Sequence, residues 1–112
     1  MLVGLNKLKV MVCDIGNSYL NAPNMERVHV RVGKELFVPE NEKKRAVIYC
    51  ALYGLKTASA AWRNHFQTIT QVLGYETTVA DPDVYCRPKV QKDDSNYYLY
   101  LVLYVDDVLA MC

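Results

Sequence analysis

The chain has 112 residues and a formal net charge of +1, which excludes a strongly basic polynucleotide binder while leaving room for a local basic groove. With 52% hydrophobic and 22% charged residues it is ordered and globular, one domain at most, able to bury roughly two-thirds of its unfolded surface. Four scattered cysteines with no C-x-x-C pair and two isolated histidines argue against a zinc site and lend no support to a disulfide framework, so the cysteines read as reduced, intracellular core residues.

Lys7 and Lys9 interrupt the N-terminal apolar stretch, so no signal peptide is expected. The longest apolar run stops at Asp106, short of the roughly 20 residues of a membrane span, and a soluble protein without a membrane partner is expected. Residues 8–15, "LKVMVCDI", are apolar and rich in β-branched residues and predict a central strand. A short segment, "GNSYLNAPN", follows. Residues 27–32, "RVHVRV", alternate with period two and predict a half-exposed strand. The charge run at residues 40–45 predicts a solvated hairpin tip, with "AVIYCAL" as the returning strand.

Thr57 or Ser59 can cap a helix running to about Leu73, with Gly74 as its stop. Trp62, Phe66, Ile69 and Leu73 share one face of that helix. "DPDVYCR" turns at Pro82 into a strand, and residues 92–96 form a loop. Residues 97–104 are apolar on both faces, which predicts a strand covered on both sides. The order of elements predicts an α+β fold: an antiparallel sheet with helices on one face.

Asp106 and Asp107 interrupt this last apolar segment. Adjacent strand residues point to opposite faces, so the two serve one site only if the backbone turns there. A tight turn into residues 108–111 makes a hairpin with carboxylates at its tip. Aspartate is also an ordinary turn residue. Electrostatics favours the functional reading: two carboxylates about 4 Å apart repel by roughly 4 kcal/mol at an effective dielectric near 20. A divalent cation with oxygen ligands, such as Mg²⁺, resolves the conflict. Asp14, at the end of the other apolar strand, is the best third ligand. It lies beside the tip if the two strands are neighbours. That set suits a two-metal phosphoryl-transfer centre, with ions about 3.5–4 Å apart.

"YVDD" (Tyr104 to Asp107) resembles the Tyr-x-Asp-Asp box of reverse transcriptases. "CDIGNSYLNA" resembles the preceding carboxylate motif, with an aromatic, Tyr19, five residues after Asp14. "ALYGLKTASAAW" and "ADPDVY" resemble two further blocks of copia-type LTR retrotransposon polymerases. The blocks stand in the family's order and cover essentially the whole chain. The resemblance implies an RNA-directed DNA polymerase with a palm-like sheet and catalytic carboxylates, Asp14, Asp106 and Asp107, at a hairpin tip. Asp14 and Asp106 are then the main ligands of two Mg²⁺ ions, with Mn²⁺ able to substitute. Asp107 supports them and the Ile15 carbonyl adds a backbone ligand.

The implied partners are an RNA or DNA template with its primer, deoxynucleoside triphosphates and the remainder of the pol polyprotein. Tyr19 falls where the family places an aromatic that excludes a 2′-hydroxyl. Gly54, Lys56 and Tyr104 fall in its substrate-binding positions, Gly54 for close backbone approach and Lys56 for a phosphate. Thr57 stands where the group has glutamine. Arg63 and the basic run at residues 43–45 are candidates for nucleic-acid backbone contacts.

The chain starts thirteen residues before Asp14 and ends five after Asp107. Residues 1–112 are therefore expected to be a partial reverse transcriptase domain, the palm core with part of the fingers. The upstream fingers, thumb and ribonuclease H are expected to lie elsewhere, leaving the isolated chain inactive. Two rival readings remain. One is a non-catalytic retrotransposon relic or domesticated binding module. The other takes Asp14 to Ser18, "DIGNS", as the phosphate loop of an actin-like kinase or ATPase, although the chain has only five glycines and no second such loop.

Overall fold

The structure, a computed structural model, describes residues 8–33, 35 and 45–112. The apolar run after Leu8 forms β1 (Val10–Asp14), and the chain then closes in a 3₁₀ turn, Ser18–Asn21. The alternating segment supplies β2 (His29–Arg31), and β3 (Arg45–Val47) returns beside it. The predicted hairpin tip at residues 40–44 lies outside the described residues. Helix α1 (Ala58–Val72) precedes β4 (Glu76–Thr77), β5 (Val84–Val90), β6 (Asn96–Tyr104) and β7 (Asp107–Met111). The fold is α+β and mainly antiparallel sheet, with one α-helix among the described residues.

The chain divides into two compact units, one running to Ser18 and resuming at Arg63, the other Tyr19–Trp62. In the first unit the strands lie in the order β1-β7-β6-β5-β4, every neighbour antiparallel. Phe66 meets Tyr85 edge-on, with ring centroids 5.3 Å apart, which places this part of α1 on the sheet face that carries Tyr85. The period-two alternation puts Leu101, Leu103 and Val108 on the same face, and Tyr85, Leu103 and Val108 are buried.

Two expectations fail here. Among the described residues β6 is less covered than expected: Leu103 alone of its nine residues is buried, and Tyr98 and Tyr104 on the opposite face are exposed. β1 lies at the sheet edge rather than the centre, with Val10, Met11 and Val12 exposed. An apolar run records a tendency to be buried, and it carries no information about strand order.

The helix buries a different stripe from the one its apolar residues suggest. Ala58, Trp62, Phe66 and Thr70 are buried at strict i+4 spacing, while Ile69 and Leu73 are about half exposed, at 46% and 54%. Thr70 tolerates this position because its hydroxyl donates to the Gln67 carbonyl, 3.0 Å away. The end of α1 follows from Gly74, whose φ of +83° suits a residue without Cβ. Its N–H donates to Gln71 O and the Tyr75 N–H to Thr70 O, the paired bonds of a Schellman stop.

In the second unit the returning strand is shorter than expected. β3 pairs with β2 over three residues, and the ladder then thins to an isolated bridge, Pro23 with Cys50. Pro23 has no N–H to donate, which limits the pairing there. The Ala51 N–H still reaches Ala22 O and the Asn24 N–H reaches Tyr49 O, both at 2.9 Å. Ala22 and Ala51 are buried by this close approach. The A-L-Y-G block is thereby held beside the chain that leaves the 3₁₀ turn.

Candidate functional site

β6 and β7 form a hairpin joined by two residues, Val105 and Asp106. Two-residue hairpin turns need a positive φ, and Val105 supplies it at +53°. For a β-branched residue this is a strained conformation, of order 1–3 kcal/mol, retained by the strands on either side. Asp106 therefore sits in the turn and Asp107 opens β7. β1 lies beside the tip through the return strand: it pairs with β7, which separates it from β6.

The register of that pair decides what the carboxylates can do. Asp14 is the direct cross-strand partner of Asp107. Lys9 and Cys112 exchange backbone hydrogen bonds, and the Ile15 N–H donates to Asp106 O at 2.8 Å. Hydrogen-bonded and open pairs alternate along an antiparallel ladder, so Asp14 and Asp107 occupy an open pair. Their Cα atoms are then about 4.5 Å apart, the closer of the two spacings. Both are exposed and share one face with Tyr104, which is Asp107's partner on its other side. Two like charges are set face to face on the side of the sheet away from Phe66 and Tyr85.

Asp106 adjoins this pair in the turn and is bonded to the segment that follows β1. Its carboxylate Oδ1 accepts a hydrogen bond of 2.9 Å from the hydroxyl of Ser18, which is fully buried in the 3₁₀ turn. Among the described residues, no three His, Cys, Asp or Glu side chains are grouped closely enough to hold an ion. The donor chemistry nonetheless fits a hard divalent cation. Carboxylate oxygens are its preferred ligands, and an opposed exposed pair lowers its repulsion by sharing a cation. Ile15, expected to lend a carbonyl, is anchored through its N–H.

The remaining expected residues lie in the second unit. Tyr19 stacks on Tyr53, with ring centroids 4.3 Å apart and planes 18° from parallel. Gly54 has φ +94°, and nothing lies within 4 Å of the point a Cβ would occupy, so backbone conformation rather than crowding requires glycine there. Lys56 is exposed. Thr57 accepts the first helical bond through its carbonyl, but its hydroxyl is buried without a partner among the described residues. It occupies the cap position without capping. Arg63 is engaged with Asp83, its Nε 2.7 Å from Oδ1 and its Nη2 donating to Oδ2 at 2.9 Å.

Residues 2–112 match the reverse transcriptase (RNA-dependent DNA polymerase) family. The chain belongs to that family. It is 28% identical over 104 residues to the retrovirus-related Pol polyprotein from transposon TNT 1-94 of Nicotiana tabacum, covering 93% of this chain and 8% of that protein. It is 25% identical over 97 residues to a transposon Ty5-1 protein of Saccharomyces cerevisiae, covering 87% of this chain and 30% of that protein. The chain thus spans 8% and 30% of the length of these two relatives. No solved structure matches it. No described helix is long and apolar enough to cross a membrane.

Two contacts were beyond sequence reasoning. The Ser18–Asp106 bond joins residues 88 positions apart and leaves no local pattern. Tyr53 lay inside the A-L-Y-G block, yet nothing in its spacing pairs it with Tyr19. Ser18, read alternatively as a phosphate-loop hydroxyl, is buried and donates to a carboxylate.

Proposed function

We propose that this chain is the palm core, with part of the fingers, of a copia-type retrotransposon reverse transcriptase. The activity is RNA-directed DNA synthesis: a primer 3′-hydroxyl on an RNA or DNA template attacks a deoxynucleoside triphosphate and pyrophosphate leaves. The observation that carries this reading is the register that opposes Asp14 to Asp107 with Asp106 in the adjoining turn. Asp14, Asp106 and Asp107, with the Ile15 carbonyl, are the residues to hold two Mg²⁺ or Mn²⁺ ions. When bound, such ions make the primer hydroxyl more acidic and neutralise charge on the leaving oxygen.

The chain's own residues bind and select. Tyr19, braced by Tyr53, stands against the sugar and excludes a 2′-hydroxyl. Gly54 lets the backbone approach the nucleotide, Lys56 offers its ammonium to a phosphate, and Tyr104 flanks the carboxylates on the substrate side. The remainder of the pol polyprotein supplies the further fingers, the thumb and ribonuclease H. Positioning is a large share of phosphoryl-transfer catalysis, so the 112-residue chain by itself is expected to extend primers weakly or not at all.

Primer extension by the polyprotein segment containing this chain tests the reading. Asp14→Asn or Asp106→Asn is expected to abolish dNTP incorporation without unfolding the protein. Full activity in either variant overturns the assignment. The rival reading is a non-catalytic relic. That rival predicts no extension even in the wild-type segment.

A further inference from the structure

We propose that Ser18 is a positioning residue that orients the Asp106 carboxylate for cation binding, an inference that rests on Asp106 being a metal ligand. Ser18 lies in the 3₁₀ turn directly after the strand that carries Asp14. Its side chain is completely buried, and its hydroxyl donates to Asp106 Oδ1 at 2.9 Å. The Ile15 N–H holds the Asp106 carbonyl at 2.8 Å. One short segment, residues 15–18, therefore grips Asp106 at both its main chain and its side chain.

A carboxylate in a hairpin turn has several staggered rotamers open to it, and a fixed donor selects among them. The bond from Ser18 is charge-assisted, of the kind that is shorter and stronger than a neutral one. An ionised carboxylate has about four lone-pair sites, so accepting from Ser18 does not by itself exclude a cation. Ser18 would then act as outer-sphere partners of metal ligands do, fixing the ligand before the ion arrives. It also couples the two halves of the site. The segment that places Asp14 is the segment that aims Asp106.

The bland explanation is that a buried hydroxyl needs some acceptor and Asp106 is the nearest. The two differ in what Ser18→Ala does to Asp106. Three-bond couplings in the labelled 112-residue chain report the Asp106 χ1, and water-proton relaxation reports Mn²⁺ affinity. In the wild type a single Asp106 rotamer is expected. In Ser18→Ala rotamer averaging is expected, with Mn²⁺ bound about tenfold or more weakly. If Ser18→Ala does not fold, Ser18→Cys, close in size and a weak donor, carries the same expectation.

An unchanged rotamer and unchanged Mn²⁺ affinity overturn the proposal. Asp106→Asn separates it from the reading beneath it. If Asp106→Asn weakens Mn²⁺ binding while Ser18→Ala does not, the role of Ser18 falls and the metal assignment stands. If Asp106→Asn binds Mn²⁺ as the wild type does, the metal assignment falls and this inference with it.

Discussion

The rings of Tyr19 and Tyr53 lie nearly parallel, 4.3 Å between centroids, so the aromatic of the first carboxylate motif is braced by the A-L-Y-G block. A ring held on one face has fewer ways to yield to a bulkier sugar. Tyr19→Val in the active polyprotein segment is expected to admit ribonucleotides. Tyr53→Ala is expected to weaken discrimination less and to cost about 1 kcal/mol of stability through the lost stack. Single-nucleotide incorporation with matched ribo- and deoxynucleotides checks this. Unchanged sugar selectivity in Tyr19→Val would sink the steric role.

Opposing Asp14 to Asp107 has a cost in the absence of cations. Like charges directly across an antiparallel pair destabilise by up to about 1 kcal/mol, less where water and salt screen them. Asp107→Asn is therefore expected to stabilise the chain by about 0.5 kcal/mol in EDTA at low salt, with the gain fading in high salt. Urea unfolding measures it. A loss of stability under these conditions would show that the two carboxylates do not face each other.

Tyr85 is fully buried, and its hydroxyl has no hydrogen-bond partner among the described residues. Burial, then the Asp83 carboxylate, pushes its phenol above the ordinary value of 10.0, with Arg63 opposing. The folded phenol keeps its proton to higher pH than the unfolded one. Its contribution to stability is thus whole below about pH 10 and is lost as pH rises through the folded value. Tyr85→Phe is expected to flatten that alkaline loss and to raise stability near neutrality by about 1 kcal/mol. Denaturant midpoints at several pH values decide it, and marked destabilisation at neutral pH would mean the hydroxyl has a partner.

Gly54 and Gly16 make a matched pair. Neither would crowd a Cβ, but only Gly54 has a positive φ. Gly54→Ala is expected to destabilise by about 1 kcal/mol, and Gly16→Ala to stay within about 0.5 kcal/mol of the wild type. Thermal unfolding of both variants compares them directly. Equal effects would remove the conformational argument for Gly54.

The α+β class, the hairpin at the paired aspartates, the helix and its Gly74 stop were legible in the sequence because each rests on local chemistry. Period-two alternation, a turn at Asp106 and a residue free to adopt positive φ are properties of short segments. The motif blocks carried the family for the same reason, since they are runs of adjacent residues. What the sequence could not decide was pairing. It left open whether β1 neighbours the hairpin, and β1 does so through β7. Register sets Asp14 against Asp107, and the turn brings Asp106 within reach of Ser18. The helix stripe through Thr70 and the thinning of β3 at Pro23 likewise follow from neighbours distant in the chain. Local patterns fix which face of a strand or helix can be buried; only the assembled sheet determines which strand lies opposite, and so which two carboxylates meet.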